Sequence, residues 1–274
     1  MPSLCLSCLL FTLEYKEVKD NKYINTFIIW LSHLIQYGGL DEDDILYIIS
    51  DNRTIEFIKD TNNTIFSTLC SFTKFGIKLI HYESPKTLLE GMMLRYKSNP
   101  YTQDIYMYCD IDILILDSLH RLTNSMVKNH IYVCTEGPLR DVYYSCGIPE
   151  NIMIHMDDKH QGVSSGKFAI YGKEICDFLF NQMDSLYNSN PHITTLDQPI
   201  FNHCIILLLN NNFLIDTTLL RKYVSFNGDE YKHGTTILFD CAGVECGHDV
   251  IHYKKMFDIS LLFQCGYFNL PRFQ

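Results

Sequence analysis

Along the first half of the chain, short apolar runs alternate with stretches whose apolar residues fall three and four apart. Ser3 to Thr12 is a continuous apolar run of strand length. Tyr23 to Tyr37 carries Ile24, Phe27, Ile28, Leu31, Leu34 and Ile35 at the spacing of one helix face, and Gly38-Gly39 stops it. Asp44 to Ile49 reads as a second strand ending at Ser50-Asp51-Asn52, followed by a helix over Thr54 to Phe72. Gly76 to His81 is a third strand, Ser84-Pro85 opens a helix through Tyr96, and Asp104 to Leu116 is a fourth strand. Four strands separated by three helices predict a mostly parallel sheet covered on both faces, with ligands gathered at the carboxyl ends of its strands.

The second half is less regular. His130 to Cys134 and Lys167 to Tyr171 read as strands and Lys173 to Tyr187 as a helix. Leu196 to Asn210 is a helix led by Asp197, with Pro199 in its first turn. Phe213 to Asp216 and Thr235 to Asp240 are short strands, and Ile251 to Phe263 is a closing helix. No linker, repeat or low-complexity tract interrupts the 274 residues, so one α/β domain is expected.

Composition narrows the function class. Apolar residues at 47% and charged residues at 20% suit a globular fold, and a net charge of −10 argues against nucleic acid as a partner. Leu4 to Leu13 lacks a basic start and runs into Glu14-Tyr15-Lys16-Glu17, unlike a secretory signal. No segment has the ~18 uninterrupted apolar residues of a membrane span. These features predict a cytoplasmic protein. Cys5-x-x-Cys8 and Cys241-x4-Cys246 have the spacing of two zinc half-sites, set against buried reduced thiols as the plainer reading of eleven cysteines.

Tyr106 to Leu116 reads YMYCDIDILIL, with two acids inside an apolar run. Unpaired carboxylates there would cost several kcal/mol, so they must lie at the strand's end or neutralise something. On an extended backbone, alternate positions point the same way. Two such carboxylates make a hard-oxygen site suited to manganese or magnesium, with positions left open for phosphate oxygens.

Here the chain resembles the GT-A nucleotide-diphospho-sugar glycosyltransferases, in which an apolar strand ends in Asp-x-Asp. The resemblance implies a GT-A fold, with a nucleotide-binding half over 1–117 and an acceptor-side half over 118–274. It implies that Asp112 ligates Mn2+ or Mg2+, and that Asp110 lies towards the metal or the donor ribose. Gly162-Val163-Ser164-Ser165-Gly166-Lys167-Phe168 resembles the family's Asn-Ser-Gly segment, which would place Ser165 and Gly166 along the donor sugar, with serine in the asparagine place. Leu196-Asp197-Gln198-Pro199 resembles the Asp-Gln segment, which implies that Asp197 faces the reacting centre; as plain structure, Asp197 is a helix N-cap. The stretch Ile237 to Met256 is similar to the closing His-Phe-x-Gly…Lys segment but lacks its metal-binding histidine. Asp240 or His248 could substitute, and Lys254 or Lys255 could reach the diphosphate. The arrangement also resembles glycosyltransferases of large DNA viruses of algae and protists, which act on capsid glycans from the host cytoplasm.

The activity implied is transfer from a nucleotide-sugar donor, preferably a UDP-sugar, to a glycan or glycoprotein acceptor, with inversion. Inversion needs a carboxylate base; the candidates are Asp197, Glu136 and the Asp157-Asp158 pair. Thr12, Glu14 and Tyr15 after the first strand and Asp51 after the second are expected to wall the nucleotide, Asp51 as acceptor for a uracil imide. Arg95 would point at phosphate. Two rivals remain: a haloacid-dehalogenase-type phosphatase, whose motif fits poorly because Leu114 stands in its fifth place, and a glycosyltransferase-like sugar-binding module without activity.

Overall fold

A computed structural model describes residues 1–60, 64–154, 156, 159–189, 196–226, 234–241, 256–258, 260–261 and 264. Its strands are β1 Leu4–Leu10, β2 Ile45–Asp51, β3 Gly76–Tyr82, β4 Ile105–Cys109, β5 Ile113–Ile115, β6 His130–Pro138, β7 Gln161–Tyr171, β8 Leu214–Asp216, β9 Val224–Phe226 and β10 Leu238–Asp240. The helices are α1 Tyr23–Tyr37, α2 Asn52–Lys59, α3 Thr64–Ser71, α4 Leu88–Met93, α5 Leu119–Thr123, α6 Val142–Ser145, α7 Glu150–Met153, α8 Lys173–Ser189, α9 Gln198–Asn210 and α10 Leu219–Tyr223.

The seven-stranded sheet runs β3-β2-β1-β4-β7-β6-β8, and β5-β10-β9 form a second, smaller sheet. β7 is antiparallel to both of its neighbours; every other pairing in the large sheet is parallel. Alternation along each strand feeds two cores. Leu4, Leu6, Cys8 and Leu10 of β1 pack with Met107 and Cys109 of β4 under Phe27, Trp30, Leu31 and Leu34 of α1. Cys5 and Leu9 pack on the other face with Tyr106, Tyr108 and Phe168, beneath α8 and α9. Each fully buried side chain of this size contributes roughly 1.5–3 kcal/mol.

Three expected elements are divided. The helix expected over Thr54 to Phe72 is split into α2 and α3. α2 begins earlier because Asp51 caps it, accepting from the Thr54 amide at 3.2 Å. The helix expected from Ser84 begins at Leu88. Thr87 caps the helix by accepting from the Glu90 amide, and the Glu90 carboxylate takes the amide of Lys86 before it, which sets the start past the proline. The strand expected over Asp104 to Leu116 breaks at the two acids. The Ile113 amide closes a turn onto the Asp110 carbonyl, and β5 leaves for the small sheet. α10 and β9 were not expected from the sequence pattern. The closing helix expected over Ile251 to Phe263 falls largely outside the described residues; 256–258 and 260–261 are helical.

Cys5 and Cys8 are three positions apart on one strand and so enter opposite cores, which removes them as a zinc half-site. Cys246 lies outside the described residues. Among the described residues no helix is long and apolar enough to cross a membrane.

Candidate functional site

From β1 the chain steps outward to β2 and β3, then returns to β4 on the other side of β1. The carboxyl ends of β1 and β4 therefore flank a crevice, the position where open α/β sheets bind ligands. The Asp110-Ile111-Asp112 turn sits at this point, immediately after β4. It is fixed from β7, whose Gly166 carbonyl accepts the Asp110 amide at 2.8 Å. A Cβ at Gly166 would overlap Oδ2 of Asp110, so a side chain there would displace that carboxylate.

Two buried cations organise the acids around the turn. Arg95, 2% exposed at the end of the α4 segment, donates from Nη1 to Asp110 Oδ1 at 3.1 Å and from Nη2 to Asp197 Oδ2. Its Nη2 also reaches Ser165 Oγ at 3.3 Å, and its guanidinium lies 4.5 Å from the centre of the Tyr108 ring. The Tyr108 hydroxyl donates to Asp110 Oδ1 at 2.6 Å, and the Tyr96 hydroxyl to Asp197 Oδ2 at 3.3 Å. Asp197 stands at the N-cap position of α9 but makes no capping bond; its side chain serves Arg95 instead. Lys167 of β7 is fully buried and donates to Glu136 Oε1 and Asp240 Oδ2, each at 2.6 Å, and to Ser164 Oγ at 3.3 Å. Burial alone would lower its pKa; Asp240 and Glu136 outweigh this and raise it.

Between these hubs, the Asp112 carboxylate has no hydrogen bond or ion pair to another side chain among the described residues. Burial, then Asp110 and Asp240, push its pKa well above the ordinary carboxylate range. Asp110 is raised too, by burial first, although Arg95 and the Tyr108 hydroxyl oppose it. Among the described residues, five carboxylates (Asp110, Asp112, Glu136, Asp197 and Asp240) thus gather around two buried cations. That acid-rich setting, in which neither the Asp112 carboxylate nor Asp110 Oδ2 has a side-chain partner among the described residues, fits a hard divalent cation.

The other sequence candidates fall into distinct places. Asp51 is fully buried, and its two oxygens already accept from the Thr12 and Thr54 amides and the Thr54 and Ser84 hydroxyls. It pins β1 to β2 and leaves no open position for a nucleobase imide. The Thr12 hydroxyl is likewise engaged, with Thr54 and Asn21. Glu14 and Tyr15 are exposed beyond β1, Tyr15 at 74%. Gln198 is buried; its Oε1 takes the Ser165 amide at 3.3 Å, while its Nε2 donor has no partner. His248, Lys254, Lys255, Asp157 and Asp158 lie outside the described residues. Lys167, Tyr96 and Tyr108 are the partners of the crevice acids that motif reading passed over. The one available signal was a lysine leading directly into the apolar run Phe168-Ala169-Ile170.

Among the described residues, one group of three side chains brings potential metal-ligand atoms within 4.8 Å of one another: Asp41, Asp44 and His120. It lies at the amino-terminal edge of the sheet, opposite the crevice. Asp44 already accepts from the Leu4 amide at 2.8 Å, and from the Asp41 amide and His120 Nε2, both at 2.9 Å. These bonds tie the starts of β1 and β2 to α5.

No protein-family profile and no curated protein sequence matches the chain. Solved structures do. The galactosyltransferase LgtC, bound to donor and acceptor sugar analogs, superposes with a TM-score of 0.57 at 12% identity, over 94% of this chain and 95% of that one. Mouse xyloside xylosyltransferase 1 gives 0.53 at 11% identity, over 89% and 98%. The bifunctional glycosyltransferase WbbM gives 0.58 at 10% identity over 88% of this chain, which spans 46% of that protein's length. At these identities the likeness shows the fold, a GT-A α/β fold with a mostly parallel seven-stranded sheet.

Proposed function

We propose that this chain is a metal-dependent glycosyltransferase acting as a single domain, moving a sugar from a nucleotide-diphosphate donor, preferably a UDP-sugar, to a glycan or glycoprotein acceptor. The observation that carries the reading is the Asp112 carboxylate, without a side-chain partner among the described residues, in an acid-rich recess at the switch point of a GT-A sheet. Mn2+ or Mg2+ held by Asp112 and Asp110 Oδ2 would offset the charge of the leaving diphosphate. The chain's own residues supply the rest. Arg95 holds one oxygen of Asp110 and so leaves the other to the crevice, while Tyr108 fixes the same carboxylate from below. Ser165 and Gly166 form the wall along the donor sugar, and the partnerless Nε2 of buried Gln198 is a donor for a sugar hydroxyl.

Inversion would require Asp197 or Glu136 to leave its cation when an acceptor enters, because each carboxylate is paired. The resemblance to viral enzymes implies work from the cytoplasmic side. The fold likeness to a galactosyl- and a xylosyltransferase is compatible with either a hexose or a pentose donor.

The test is calorimetric titration of nucleoside diphosphates and nucleotide sugars, with and without Mn2+, on wild type and Asp112→Asn. One nucleotide should bind only with metal, and Asp112→Asn should abolish that while melting no lower than wild type without metal. Binding indifferent to metal and to Asp112, or no binding at all, overturns the proposal. Turnover of the bound donor separates an enzyme from a sugar-binding module.

A further inference from the structure

Lys167 is an unusual residue for its position. It lies in β7 opposite Cys109 of β4, fully buried, with its ammonium 4.7 Å from the centre of the Phe226 ring. An ammonium withdrawn from water in this way is costly unless strongly paired, and two carboxylates at 2.6 Å hold it. Those carboxylates come from different sheets. Glu136 is on β6, and Asp240 ends β10 opposite Ile113, one residue past Asp112. The Cys241 amide then donates to the Asp112 carbonyl at 3.1 Å, so the Lys167–Asp240 pair is strapped against the metal-binding turn. From the other side, Gly166, the residue before Lys167, takes the Asp110 amide on its carbonyl at 2.8 Å, so the lysine is tethered to both ends of the turn.

Lys167, Glu136 and Asp240 together carry one net negative charge, and compared with a neutral side chain in its place the lysine has opposite effects on the two occupants of a nucleotide-sugar site. It repels a free divalent cation and attracts a diphosphate. Lys167 has no open path to a phosphate, since its ammonium is enclosed, so its action is through the field alone. Resting on the nucleotide-sugar reading above, we propose that Lys167 is a built-in counter-cation that weakens the hold of Asp110 and Asp112 on free metal, so that metal is retained only together with the diphosphate that completes its shell. Lys167 is thus a positioning residue acting on metal affinity, and the coupling between metal and nucleotide is its product.

The experiment measures free Mn2+ by electron paramagnetic resonance during titration of wild type and Lys167→Met, each with and without uridine diphosphate. In wild type, the diphosphate should tighten Mn2+ on the order of tenfold or more, and Mn2+ should tighten the diphosphate by the same factor. In Lys167→Met, nucleotide-free Mn2+ should bind on the order of tenfold tighter than in wild type, and the coupling should shrink. The proposal is overturned if Lys167→Met, folded by its melting curve, holds nucleotide-free Mn2+ no tighter than wild type. Should that variant not fold, the wild-type arm decides: Mn2+ bound as tightly without the diphosphate as with it overturns the proposal. If wild type takes up no diphosphate under any condition, the nucleotide-sugar reading fails, while the Mn2+ comparison with Lys167→Met still tests the counter-cation.

Discussion

Replacing Arg95 with methionine keeps the length of the side chain and removes the charge that bridges Asp110 and Asp197. Arg95 and Asp197 are each 2% exposed, so that leg is a buried ion pair; breaking such a pair by removing one partner costs about 3–5 kcal/mol. The Asp110 leg counts for less, because Asp110 is 37% exposed and water screens its loss. The cation–π contact with Tyr108 adds about 1 kcal/mol. At this chain length a loss of that size lowers the melting temperature by roughly 6–20 °C. Most of the damage is the stranded Asp197 carboxylate, so Arg95→Met/Asp197→Asn should recover more than half of the loss. Thermal and urea unfolding of the four proteins in a double-mutant cycle would measure this. A single-variant loss under about 1 kcal/mol, or no recovery in the double variant, would refute Arg95 as the buried hub.

Gly166→Ala should cost about 1–3 kcal/mol and lower metal-dependent nucleotide affinity on the order of tenfold, because the new methyl displaces Asp110; unchanged Mn2+ affinity in a titration would contradict that geometry. His33 supplies a pH test away from the site. It is fully enclosed between the Ile115 carbonyl and the Ser260 hydroxyl, and burial lowers its pKa from 6.5 to about 4. The unfolded chain therefore binds the extra proton first. Stability should fall by about 3 kcal/mol as pH drops from 6.5 to 4, and His33→Gln should flatten that limb of the unfolding profile.

What was legible in the sequence followed from periodicity over long runs. β1, α1 and β3 were readable because one pattern persisted for seven residues or more and ended at glycine or polar residues. The break inside YMYCDIDILIL was not. The apolar residues after the acids belong to a second sheet, and composition alone does not say that a strand has changed partners. Asp110, Asp197, Ser165 and Arg95 were each nameable from local motifs, but their convergence on one guanidinium spans over a hundred residues of chain. Asp51 shows the converse. Its place at a strand end suggested a ligand contact, whereas the capping and strand-end amides claim its oxygens first. Lys167 leads into an apolar run, a faint local signal, but its two acids come from separate strands and that pairing is tertiary.

The reversed strand β7 has a consequence for how the chain is made. It covers the edge of β4, yet it lies about fifty residues downstream, so at roughly 5–20 residues per second a ribosome needs about 3–10 s to supply it. During that interval β4 presents a bare row of amides and carbonyls beside Tyr106, Met107 and Tyr108, the kind of edge on which nascent chains pair wrongly. The same strand brings Ser165, Gly166 and Lys167, so its arrival both seals the edge and sets one wall of the crevice, which Asp197 and Asp240 join later. Cover for the edge and the β7 wall of the crevice are therefore acquired in one event, and a nascent chain stalled before Gln161 has neither.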